Sequence, residues 1–173
     1  MKREFVEAII QIRPSKILKG EIGVFAVRNL KRGVVVGATK LLDESLFFTW
    51  DDYKKIDKIS QNVINDFCIG TEKGFYAPNN INYISIPWNY NHSCSGNIGF
   101  NKNGDFITLK NIKSGEELFY DYGLAESNPN FKMRCSCGSR KCRKIITGND
   151  WKDPIFRKNN YEHMTPELKK IIS

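Results

Sequence analysis

Apolar residues along this chain fall into many short runs separated by glycine, asparagine and proline. Residues 5–12 mix Phe, Val and Ile with polar neighbours and read as a first strand, stopped by Pro14. A turn at Lys19-Gly20-Glu21-Ile22-Gly23 leads into an apolar strand over 24–27, and a second turn over 29–33 leads into 34–36. Further short strands are predicted over 63–69, 83–86, 98–100, 106–109 and 117–120. Only Trp50, Tyr53, Ile56 and Ile59 keep helical spacing, which predicts one internal helix over 50–59. Thr165-Pro166-Glu167-Leu168 supplies an N-cap, an N1 proline and an acidic first turn for a short final helix. Residues 148–161 keep no period and read as an irregular crossing tail. The fold class is therefore mainly β with small helices (α+β), in one domain, and not a βαβ array. The Gly20–Gly23 turn is no dinucleotide fingerprint, because a third glycine is missing and a strand follows it.

Composition narrows the class. With 173 residues and 40% hydrophobic content, the chain can bury one real core. No apolar run approaches the roughly 20 residues of a membrane span, and Met1-Lys2-Arg3-Glu4-Phe5 lacks the features of a secretory signal. The expected location is intracellular: nuclear in a eukaryote, otherwise cytoplasmic or delivered to a host. Net charge is +8, with basic residues spread along the chain. That spread reads as a solvated basic surface, with weak nucleic-acid attraction as the alternative.

The five cysteines change the picture further. In a reducing compartment, clustered thiols favour metal over disulfide, and a bridge between Cys135 and Cys137 would close a strained ring. Cys135, Cys137 and Cys142 form a C-x-C-x4-C cluster, which supplies three ligands. A tetrahedral Zn²⁺ takes four, and Cys94, 41 positions upstream of Cys135, can be the fourth. Such a site would pin two distant segments together. Cys68 has no partner in this scheme and reads as a buried apolar thiol.

Taken singly, the remaining motifs have bland readings. Gly20 and Gly23 can simply make a turn, Asn91-His92-Ser93-Cys94 can be a buried polar knot, and Tyr120 and Tyr122 can be core aromatics on one strand face. Their order is more informative. Gly20-x-x-Gly23, then Asn91-His92-Ser93-Cys94, then Glu117-Leu118-x-Tyr120-Asp121-Tyr122, then C-x-C-x4-C-Arg, resembles the SET-domain protein lysine methyltransferases with a zinc-binding post-SET segment. The resemblance runs from about Phe5 to Arg143.

That resemblance implies a SET fold of small curved β-sheets with a C-terminal pseudoknot. It divides the chain into a SET domain over 1–125 with an insert at about 41–66, a post-SET segment over 126–147 and a tail over 148–173. It implies S-adenosylmethionine bound by main chain from Glu21, Ile22 and Gly23, by Asn91 and His92, and beside Tyr122. A substrate lysine would enter from the opposite face, with Tyr122 as the essential hydroxyl and Tyr120 limiting the product to mono- or dimethyllysine. Free lysine, with a pKa of about 10.4, must lose a proton before it can attack the methyl. Cys94, Cys135, Cys137 and Cys142 would hold Zn²⁺, as a lid over the site or as a purely structural clip. The implied partner is a histone tail or another basic protein.

Several positions depart from the family pattern. Trp88 stands where an arginine is common, and Gly96 where a proline is usual. Phe67 or Tyr76 stands near the place of a further tyrosine, and Trp151 is the nearest large ring after the last cysteine. A +8 protein repels a basic tail unless acidic residues such as Asp43, Glu44, Asp51 and Asp52 gather at the groove. The competing functional classes are a SET-type zinc module that binds without turnover, and a basic zinc protein that binds nucleic acid.

Overall fold

In the computed structural model, which describes residues 7–37, 45–78 and 80–173, short strands pair over long sequence distances. Along the chain these are β1 (Ile10–Pro14), β2 (Ile22–Ala26), β3 (Val35–Gly37), β4 (Ser45–Thr49), β5 (Ile69–Gly70) and β6 (Gly74–Pro78). They continue as β7 (Asn91–His92), β8 (Ile98–Phe100), β9 (Phe106–Thr108), β10 (Glu117–Tyr120), β11 (Lys132–Arg134) and β12 (Ile145–Thr147). The α-helices are α1 (Trp50–Lys55), α2 (Lys58–Phe67), α3 (Pro154–Asn160) and α4 (Pro166–Ile172). No helix among the described residues is long and apolar enough to cross a membrane.

The strands form small separate sheets in the orders β1-β2-β10-β7, β3-β9-β8, β4-β6-β5 and β11-β12. Within the first sheet β10 runs antiparallel to β2 and parallel to β7, which sets Phe119 opposite Asn91 and Tyr120 opposite His92. Beyond β7, the Ser93 and Asn97 N–H groups donate to the Tyr120 and Phe119 carbonyls. The Asn97 side chain completes this grip, donating to the Glu117 carbonyl and accepting from the Phe119 N–H. Val24, Ala26, Ile98, Leu118 and Tyr120 build the main core between the sheets, and Met164 and Leu168 close it from the C-terminal end. A second apolar cluster joins Ile64, Phe75 and Ala77 to Trp50, Tyr53 and Ile56.

Several elements differ from the sequence expectation, each for a local reason. β1 starts at Ile10 and includes Pro14. As an edge strand it can spare that N–H. Residues 5–6 lie outside the described residues. The helix expected over 50–59 stops at Lys55, because Ile56 is extended and Asp57 caps a new helix by accepting from the Ile59 and Ser60 N–H groups. Trp50, Tyr53 and Ile56 face the second cluster, whereas Ile59 is 78% exposed. Residues 63–67 are helical rather than extended, with Ile64 buried, since a short apolar run has no period of its own to decide between the two. Residues 83–86 form no strand; a 3₁₀ turn starts at Ile86 with Pro87 in its first turn. The tail gains order from Asp153, which caps α3 ahead of Pro154. The final helix forms as expected, with the Thr165 hydroxyl accepting from the Leu168 N–H. β4 and β6 pair through Phe47 on Tyr76 and Phe48 on Phe75, contacts that need both strands in place.

Candidate active site and metal centre

The parallel step between β7 and β10 brings the two central motifs together. It also carries Cys94, two residues after His92, to the three cysteines between β11 and β12. The sulfur atoms of Cys94, Cys135, Cys137 and Cys142 all lie within 4.8 Å of one another. Cys94 Sγ is 3.8 Å from Cys135 Sγ, close to the ~3.8 Å edge of a tetrahedron with Zn–S bonds of about 2.3 Å. Four thiols gathered this closely, with no disulfide among them, fit a structural Zn²⁺. Cys68 stands apart as a free thiol, and burial pushes its pKa up to about 12.

Two side chains tie this cluster to Tyr122. His92 is buried; its Nδ1 accepts from the Tyr122 N–H at 3.1 Å, and its Nε2 lies 3.4 Å from Cys94 Sγ. Burial pushes the imidazole down to about 4 against the pull of Asp121, so it is neutral at pH 7. With Nδ1 accepting, the ring proton belongs on Nε2, directed at the thiol. Arg143 forms the second tie. Its guanidinium grips Asp121 with two bonds of 2.6 Å and Asp150 with one of 3.0 Å, while its N–H donates to Cys94 Sγ. Asp121 in turn accepts from the Gly123 N–H, capping the 3₁₀ turn of Tyr122–Leu124.

Asn91 is fixed from the other side. Its Nδ2 donates to the Ile22 carbonyl at 2.7 Å and to Glu117 Oε1 at 3.2 Å. Both amide hydrogens are then used, so its carbonyl oxygen is the group left for a ligand. The buried Glu117 carboxylate is held by the Ser15 hydroxyl and the Lys16 N–H. Gly23 packs against this network so closely that an added Cβ would overlap Glu117 Oε1 and press on Asn91 Nδ2. Gly20, by contrast, is needed for its φ of +89°. Glu21 and Ile22 lie exposed at the end of this turn.

Tyr120 and Tyr122 meet although β10 ends at Tyr120; their ring centroids are 4.8 Å apart. The Tyr122 hydroxyl donates to the Tyr90 carbonyl at 3.2 Å. Burial pushes the Tyr122 phenol up to about 12 and the Tyr120 phenol well above its usual value, so both are neutral hydroxyls at pH 7. Together with Phe67, Trp88, Tyr90 and Phe131 they line a cavity of about 40 Å³. Trp88, in the place of the common arginine, thus serves as part of an aromatic wall. Phe67 rather than Tyr76 lines the cavity, since Tyr76 packs on Phe47. Trp151 packs on the main core and donates its indole N–H to the Gly148 carbonyl.

The structure brings the sequence-identified residues into two linked groups: Gly23, Asn91 and Ile22 on one side, and His92, Tyr122 and the four cysteines on the other. Sequence reasoning assigned no role to Glu117, Asp121, Glu126 or Arg143. Glu117 and Asp121 were detectable as acids inside an otherwise apolar and aromatic run. The acidic groove expected from Asp43, Glu44, Asp51 and Asp52 is not supported by the described pair: Asp51 and Asp52 are engaged by Lys54 and Lys55 on α1. Asp43 and Glu44 lie outside the described residues.

Known proteins resemble the central part of this chain. Residues 21–123 match the family model described as SET domain. The chain is 29% identical over 85 residues to histone-lysine N-methyltransferase ASHH2 of Arabidopsis thaliana, a match covering 45% of this chain. It is 37% identical over 65 residues to histone-lysine N-methyltransferase ash1 of Drosophila melanogaster, covering 34%. Against histone-lysine N-methyltransferase trithorax of Drosophila virilis it is 39% identical over 64 residues, covering 32%. These matches span 5%, 3% and 2% of the respective relatives' own lengths. The family model covers 103 of the 173 residues (123 − 21 + 1), more than half of the sequence, and the chain belongs to the SET-domain family.

Proposed function

We propose that this chain is a protein-lysine N-methyltransferase that moves a methyl group from S-adenosylmethionine to a histone lysine and stops mainly at one or two methyls. The observation that supports it best is the placement of Tyr122. Its backbone is held by His92, its hydroxyl by Tyr90, and it lines a narrow aromatic cavity together with Tyr90, the residue before Asn91. S-adenosylmethionine supplies an already activated methyl on sulfur. Asn91 Oδ1, the main chain of Glu21, Ile22 and Gly23, and the His92 backbone are suited to hold it. The protein's own task is to strip water from the lysine amine and aim it, which desolvation and positioning accomplish. The named histone substrates of the relatives support a histone as substrate and a nuclear site of action. The same reading keeps residues 1–125 as the SET portion and 126–147 as the zinc-binding post-SET segment.

Labelled methyl transfer onto core histones and whole-cell lysate, with the modified site mapped, tests this directly. Transfer to a histone lysine is expected. Silence despite confirmed cofactor binding and bound zinc would favour a non-catalytic binding module, and salt-sensitive DNA binding without cofactor affinity would favour the nucleic-acid reading.

Two variants probe the parts. Tyr120→Phe removes a hydroxyl that can hold the amine or a water, and the space gained admits a bulkier product. Mass spectrometry is expected to find more di- and trimethyllysine; efficient trimethylation by the unmutated protein would overturn the assignment. Gly23→Ala drives a methyl group into Glu117 and Asn91. Overpacking of this kind costs about 1–3 kcal/mol, and calorimetry is expected to find S-adenosylmethionine binding weakened by roughly 2- to 10-fold if about half of that falls on the bound state.

A further inference from the structure

Glu126 is a carboxylate that neither the zinc cluster nor the cofactor-side residues use. It lies just past the Tyr122 turn, is 7% exposed, and lines the same cavity as Tyr120 and Tyr122. Its Oε2 accepts from the Gly70 N–H and its Oε1 from the Asn128 N–H, both at 2.8 Å, so its position is rigid. Two oxygens offer about four acceptor sites, which leaves capacity toward the cavity. The other groups lining the cavity that carry or can carry charge are Asp66, exposed at its rim, Cys68, and the tyrosines 90, 120 and 122. Among the described residues no Lys, Arg or His lines it, and Glu126 forms no ion pair. A buried carboxylate without a counter-ion is costly. A cavity of about 40 Å³ has room for roughly one water-sized group, and aromatic walls around a carboxylate suit an ammonium ion.

We propose that Glu126 receives the ε-ammonium of the substrate lysine in this cavity and removes one of its protons before methyl transfer. The proposal rests on the methyltransferase reading above. The ammonium and the carboxylate become a neutral amine and a carboxylic acid. The amine lone pair then forms the N–C bond as the C–S bond of S-adenosylmethionine breaks, leaving S-adenosylhomocysteine and a methylated ammonium. The proton on Glu126 returns to solvent when product leaves. Tyr122 and Tyr120 cannot fill this role at neutral pH, since burial keeps both protonated. Burial also raises the Glu126 carboxyl to about 7, against the pull of its backbone N–H bonds, which matches a group that must both hold and release a proton near neutrality.

The pH profile of kcat/KM, read on core histones with labelled S-adenosylmethionine, tests this. The unmutated protein is expected to gain rate with unit slope up to about pH 7, the carboxyl's value in the free protein, and then to level off. Glu126→Gln is expected to lose about 10²-fold at pH 7.5. Its rate should then climb with pH toward the pKa of the lysine amine itself, while zinc content and cofactor affinity stay unchanged. The amide NH₂ introduced by that substitution must face a backbone N–H, so the variant can fail to fold; the unmutated protein's profile then decides alone. A rate that rises without a plateau to the amine's own pKa, or one that moves with a lysine analogue of lower amine pKa, overturns the role of Glu126 while leaving methyl transfer intact. No transfer by the unmutated protein overturns both readings together.

Discussion

Replacing Tyr122 with phenylalanine is expected to slow methyl transfer by about 10²–10³-fold, the usual loss when one positioned hydroxyl or N–H is removed from a reacting centre. The fold should survive, because the hydroxyl makes a single bond, to the Tyr90 carbonyl, worth about 1 kcal/mol. The ring itself stays packed between His92 and Tyr120. The loss should fall on the rate constant of a single turnover rather than on cofactor affinity, since Asn91 and Gly23 are untouched. The phenol, held neutral by burial, acts by orienting the amine and not by taking its proton. Single-turnover rates with calorimetric cofactor binding separate these effects. A phenylalanine variant with near-normal turnover would show that another group aligns the amine.

Removing zinc is expected to abolish methyl transfer in step with metal loss. The physical route is the pair of ties described above. Without a metal, four thiols within 4.8 Å have nothing to hold them together. Cys94 then ceases to anchor His92 Nε2 and the Arg143 N–H. Arg143 loses its register on Asp121, which caps the Tyr122 turn, and His92 loses its grip on the Tyr122 N–H. A structural zinc site supplies about 10–16 kcal/mol of binding free energy, far more than those hydrogen bonds can replace. Chelation followed by metal analysis, near-ultraviolet circular dichroism and labelled transfer should give three curves that fall together, and Cys135→Ser should match the stripped protein. Transfer that persists without bound zinc would reduce the cluster to a structural clip.

Some of this was legible in the chain because it depends only on nearest neighbours. The Thr165-Pro166 start of α4, the short strands at 98–100 and 117–120, and the C-x-C-x4-C cluster are local signals, and the structure bears them out. The motif order sufficed for the family. What failed was set by packing: residues 63–67 became helical when Ile64 found Phe75 and Ala77, and Ile59 was left in solvent once Asp57 restarted the helix.

The sequence by itself determined which atoms are available: four thiols, two hydroxyls, an Asn-His pair and a glycine turn. Tertiary structure alone decided their states and their partners. The β7–β10 pairing, across about 30 residues, put Tyr122 on His92. Burial then raised two phenols and lowered an imidazole, reinforcing their neutral forms, and raised the Glu126 carboxyl to about 7. The reason is that composition and spacing specify which groups exist. Their protonation and contacts depend on solvent exclusion and on neighbours far away along the chain.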